Sequence, residues 1–102
     1  MSVSWAYLYL HPGTDPAADR TVIDRAGHRT TLVPVPDTAV APKTAAFLAE
    51  EGAQLIELCG GFGLEAAAQV RAAVPDGVPV GQMVFASDSV PSAAAFSQAA
   101  SS

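Results

Sequence analysis

Glu57-Leu58-Cys59-Gly60-Gly61-Phe62-Gly63 joins a short apolar run to an alanine-rich segment, and its reading decides the fold. Gln54-Leu55-Ile56 precedes it and reads, with Glu57 and Leu58, as a short buried strand. Residues 64–73 (LEAAAQVRAA) follow and read as a helix. A strand, a glycine-rich turn and a helix in that order leave backbone N–H groups free at the helix start. With the helix dipole they form a seat for an anion or a polarised carbonyl.

Working outward, the preceding segment predicts a helix over residues 40–51, with Val40, Thr44, Phe47 and Leu48 on one face and Gly52 at its left-handed end. Glu50 and Glu51 lie at the negative end of that helix dipole, where acids are unfavourable. The helix after the motif is expected to bury Ala66, Ala67, Val70 and Val74, and to stop at Pro75-Asp76-Gly77. Residues 78–85 read as the last strand, in which Gly81 leaves room for something to approach its backbone.

Toward the N-terminus, residues 3–10 read as the first strand, ended by His11-Pro12-Gly13. Alternation puts Trp5, Tyr7, Tyr9 and His11 on one side and Ala6, Leu8 and Leu10 on the other. Both sides are apolar enough to be covered, as in a central strand of a layered sheet. Asp15-Pro16 caps a single helical turn reaching Arg20. Residues 29–35 form a second strand, placed at a sheet edge because Pro34 and Pro36 lack donors. Residues 21–24 are either its hairpin partner or plain loop.

These elements predict an α/β domain over residues 1–85. It is a small open, mostly parallel four-stranded sheet of order 2-1-3-4 with helical crossovers, a flavodoxin- or Rossmann-like fragment. Residues 86–102 form a Ser/Ala-rich tail, weakly helical or disordered by composition, expected to dock through Val90 and Phe96 on the domain or on a partner subunit. In such a sheet the ligand cleft lies at the C-terminal ends of the first and third strands, where His11-Pro12-Gly13 and Cys59-Gly60-Gly61-Phe62 converge.

Composition removes whole classes of function. The chain has 102 residues, half of them hydrophobic, and a formal net charge of −5. No cluster of Lys or Arg supplies the basic footprint that nucleic-acid binding needs. No apolar run approaches a membrane span, and no leader pattern opens the chain. One cysteine makes no internal disulfide, which fits a reducing cytoplasm. A charged fraction of 15%, against about a quarter in ordinary soluble domains, points to surface hidden in a homo-oligomer, a dimer or larger.

Glu57 is the least expected residue, a carboxylate within a Leu/Ile strand on the face of Cys59. Enclosed there it would be partly desolvated, which suits acid–base work; otherwise it serves a structural ion pair. His11 is a proton shuttle or a plain strand-end cap. Cys59, before a helix start, is a nucleophile if His11 serves as its base, and otherwise a small hydrophobe. Metal binding by His11, Cys59 and Glu57 has no ligand spacing to support it, and no cofactor fingerprint is present. The G-G-x-G spacing is neither the dinucleotide motif nor a P-loop. Gly60, Gly61 and Gly63 hold a ligand with their backbone or simply make a tight turn with positive φ. Phe62 at the loop tip is a candidate ligand wall; Tyr7 and Tyr9 on the first strand line a pocket with Trp5 or belong to the core or a subunit interface, and Asp88 reaches the same end of the sheet.

The motif from Glu57 to Gly63 resembles that of a family of small bacterial proteins classed as a domain of unknown function. Pro12-Gly13-Thr14-Asp15-Pro16, Asp19-Arg20 and Val78-Pro79-Val80-Gly81 are similar to it as well. The likeness covers residues 5–85 and leaves the tail outside. It implies a shared domain and an important motif, with no settled activity. The residues themselves point first to a cofactor-free enzyme of isomerase, cyclase or lyase type acting on a carboxylate- or carbonyl-bearing small molecule. A non-catalytic binding or regulatory subunit is the alternative, and a purely structural partner protein the third.

Overall fold

A computed structural model describes residues 2–101. Five strands form one sheet: β1 (Val3–Leu10), β2 (Thr21–Arg25), β3 (His28–Val35), β4 (Ile56–Leu58) and β5 (Val80–Gln82), in the order β2-β3-β1-β4-β5. Three helices accompany them: α1 (Ala41–Glu50), α2 (Leu64–Ala73) and α3 (Val90–Ala100). β1 runs parallel to both β3 and β4, and β4 parallel to β5. The α/β class and the expected order therefore hold. The fifth strand is β2, antiparallel to β3 and added outside it, so residues 21–25 pair as a hairpin rather than loop.

That hairpin moves β3 off the edge, yet the reasoning about Pro34 survives in altered form. The β2 register ends at Leu32, so nothing pairs with the far side of β3 beyond it. The Val35 carbonyl faces β1, where it accepts the His11 N–H at 2.9 Å. Strand alternation then turns Pro34 to the opposite side, where no acceptor waits for a donor.

One expectation about layers fails. The steps β3 to β4 through α1 and β4 to β5 through α2 run in the same direction across the sheet. Right-handed crossovers place both helices on the same face, and α1 and α2 pack on each other. The return from β1 to β3 carries only a turn and β2, so among the described residues no crossover helix covers the other face. Ala6, Leu8, Val33, Val35, Ile56 and Leu58 are fully buried under α1 and α2, whereas Trp5, Tyr7, Tyr9 and Leu32 remain part-exposed.

Helix α1 starts one residue later than predicted, behind a 3₁₀ turn capped by Asp37, whose Oδ1 accepts the Val40 N–H. It buries Ala41, Thr44, Ala45 and Leu48. Phe47, expected on that face, is 51% exposed. The small residues 41 and 45 define the true stripe, at spacings of three and four. Gly52 takes φ +111° and ends the helix as expected. Glu51 finds its counter-charge in Arg20, whose Nη1 lies 3.1 Å from Glu51 Oε1. Asp15 does cap a single turn, accepting the Ala17 and Ala18 N–H groups; these bonds hold its carboxyl below the ordinary carboxylate value.

β5 is shorter than the predicted strand over residues 78–85, because β4 itself has three residues and offers no further partners. The Met83 N–H makes the last bond, to the Leu58 carbonyl at 3.0 Å. Met83, Val84 and Phe85 then emerge exposed. The tail is helical as α3, but it buries no residue of its own.

Candidate functional site

Tyr7 pairs with Glu57 across β1 and β4, and Glu57 with Gly81 across β4 and β5. The three stand in one lateral row on the uncovered face. Because Gly81 carries no side chain, the row opens into a groove of about 360 Å³, lined also by Leu58, Gln82 and Met83. Gly81 is not demanded by packing, since a Cβ there would lie 3.9 Å from Glu57 Cγ, an ordinary contact. Its absence leaves the carboxylate reachable.

Glu57 is solvent-exposed, so the desolvation expected of an acid enclosed in a strand is absent. The cause is the bare face: the strand is covered on one side only. Among the described residues no cation or donor pairs with Glu57, so no ion pair within the chain holds it. Tyr7 is the perturbed group instead. Partial burial first, then the charges of Cys59 and Glu57, push its hydroxyl above the usual 10.0. It is therefore a phenol, a hydrogen-bond donor, throughout the neutral range. Tyr9 stacks on it with ring centroids 6.1 Å apart.

The glycine loop is built for close approach rather than for unusual φ. None of Gly60, Gly61 and Gly63 has positive φ, in contrast to the simple turn expected. A Cβ on Gly61 would sit 2.8 Å from Leu10 Cδ1, and one on Gly60 would sit 3.0 Å from Phe85 and 3.1 Å from Met83. Gly63 is the N-cap of α2 and meets nothing. Phe62, expected to wall a ligand, is 2% exposed within the core cluster and also lines the groove beside the loop. It anchors the loop, and its carbonyl accepts a hydrogen bond from Gln82 Nε2. Among the described residues the Gly60 and Gly61 amides donate to no acceptor in the chain.

Of the other expected site residues, Cys59 joins this neighbourhood, part-buried against the core, through its effect on Tyr7. His11 is exposed at the strand exit, its Nδ1 3.1 Å from the Pro12 carbonyl, and lines neither this groove nor the one beside the loop. Among the described residues no hydrogen bond joins it to Cys59. Asp88 lies exposed in a 3₁₀ turn before α3 and lines neither groove. Among the described residues, no three His, Cys, Asp or Glu side chains gather as metal ligands would.

Residues 3–98 match the family of unknown function DUF6506. The chain belongs to the DUF6506 family. The likeness read from the motifs stops at residue 85, whereas the DUF6506 match continues through most of α3. No curated protein and no solved structure matches the chain. Among the described residues, no helix is long and apolar enough to cross a membrane. Gln82 and Met83 line the groove without any signal in the sequence. Tyr7 has one, since it shares the strand face of Tyr9 and falls opposite Glu57 once β1 and β4 are paired.

Proposed function

We propose that the Tyr7–Glu57–Gly81 groove binds a small molecule bearing a carbonyl beside an acidic carbon, and that Glu57 moves its proton. The Glu57 carboxylate accepts the proton from carbon, and the Tyr7 phenol donates a hydrogen bond to the enolate oxygen. Return of the proton to a different carbon gives an isomerase. Expulsion of a leaving group from the enolate gives a lyase, and attack within the molecule gives a cyclase. The observation that supports this is the direct pairing of an unpartnered carboxylate with a phenol that stays protonated. A cytoplasmic setting suits the lone thiol.

The groove's openness to solvent favours a second reading, a binding subunit that holds the same ligand unchanged. One experiment separates the two. A panel of small keto acids and ketones is incubated with the protein in D₂O, and loss of the C–H signal is followed by NMR. Exchange that disappears in Glu57→Gln supports the enzyme. Binding shifts without exchange support the subunit, and exchange that persists in Glu57→Gln removes Glu57 as the base.

A further inference from the structure

Beyond the Glu57 groove, on the other side of Met83, a second groove of about 460 Å³ runs between the glycine loop and α3. Its body wall is Gly60, Phe62, Leu64 and Phe85. Its α3 wall is Ala93, Ala94 and Ser97, whose small side chains leave it unfilled. The one large side chain in the body of α3, Phe96, is 74% exposed and does not line it. Leu64, at the groove's mouth, is 82% exposed. One molecule thus carries an unfilled apolar hole and, on the same short helix, an unburied aromatic knob.

We propose that a second copy of this chain fills the groove, in a two-fold dimer where Phe96 of each α3 inserts between the partner's glycine loop and α3. Knob and hole on a single surface are self-complementary, as an isologous interface requires. Leu64, Met83, Val84, Phe85, Val90 and Phe96 are all between 44% and 82% exposed, a gathering of large apolar side chains of the kind that marks a protein–protein contact. Charge selects the same face. The chain carries −5 overall, so two copies repel over most of their surfaces. From residue 82 to residue 101 the sole charged side chain is Asp88. Gln82 and Met83 line both grooves, so a partner helix in one would stand at the rim of the other and shelter Glu57 from solvent.

The test reads mass alone, so it stands or falls separately from the small-molecule reading. The full chain is measured by light scattering behind gel filtration, with Phe96→Asp and Ala94→Trp beside it. Phe96→Asp removes the knob, and Ala94→Trp plugs the hole; both positions are exposed in the single chain, so circular dichroism should be unchanged. The expected result is a dimer for the natural chain and a twofold fall in mass for each variant. A monomeric natural chain would overturn the proposal, even one that binds some other protein. So would a Phe96→Asp variant that stays dimeric, most directly if Trp5→Asp on the bare sheet face then splits it.

Discussion

Tyr7 on β1 and Glu57 on β4 stand directly opposite each other on the uncovered face of the sheet. The carboxylate charge opposes formation of a phenolate beside it, after partial burial has already done so. In a Tyr9→Phe background Tyr7 is the only tyrosine, and its phenolate absorbance can be titrated alone. The midpoint should lie above 10.0, and Glu57→Gln should lower it without restoring the ordinary value, because burial is the larger cause. The sign for stability follows from a folded value above the unfolded one. The contribution is fully present below the unfolded value of 10.0 and is lost as pH rises through the folded value. Tyr7→Phe should therefore flatten the alkaline loss of stability. A midpoint that ignores Glu57→Gln would show that the two groups do not sense each other.

The glycine loop yields a contrast between neighbours. Gly61→Ala puts a methyl 2.8 Å from Leu10 Cδ1, so the end of the part-buried Leu10 side chain must shift. The expected cost is about 1 kcal/mol in urea unfolding, the low end of overpacking because the end of a leucine side chain can give way. Gly63→Ser meets open space at a φ of −79° and places a capping hydroxyl at the start of α2. It should be neutral or stabilising by a few tenths of a kcal/mol, as an N-cap exchange of glycine is. Equal losses at both positions would mean that the loop is set by something other than contact with Leu10.

How much of this was legible in the sequence can be judged element by element. Strand order, both crossover helices, the Asp15 turn and the stops at Gly13, Gly52 and Pro75 follow from local chemistry, and local chemistry is what a single sequence carries. The bare face was not legible, although Trp5, Tyr7 and Tyr9 are plain to see. An aromatic stripe reads the same whether a helix, a partner or water lies against it. Its exposure comes from topology, through two crossovers stepping the same way. Glu57 stands out in the sequence as a carboxylate in an apolar strand, but its exposure follows from the bare face, which the sequence does not show. Phe62 belongs to the core and lines the loop groove as well, and hydrophobicity alone does not separate those two roles for a loop aromatic.

The stripe on α1 separates two adjacent hydrophobes. Leu48 is 3% exposed, and Phe47 points outward. Leu48→Ala should cost about 2–5 kcal/mol, the range for deleting a buried leucine, and Phe47→Ala should stay within about 0.5 kcal/mol, as surface changes do. Chemical denaturation of the two variants checks the helix phase directly. If Phe47→Ala is the costlier, the buried stripe has been assigned to the wrong face.

The β2–β3 hairpin holds a correctable strain. Its two-residue loop places Ala26 at φ 56° and Gly27 at φ 77°, both left-handed, as a type I′ turn demands. Glycine accepts that conformation freely, whereas an alanine Cβ crowds the neighbouring carbonyl at a cost of roughly 1–2 kcal/mol. Asparagine tolerates the left-handed region far better and is the residue that such loops favour before glycine. Ala26→Asn should therefore raise stability by about 0.5–1 kcal/mol, seen as a higher urea midpoint at unchanged slope. Ala26→Val should lower it, because a β-branched side chain is still less tolerated there. The Asp24–Arg29 ion pair across the same hairpin, 3.2 Å long and exposed, is too weak to mask either effect. An Ala26→Asn variant no more stable than the natural chain would mean that the turn is not held in the I′ form in solution.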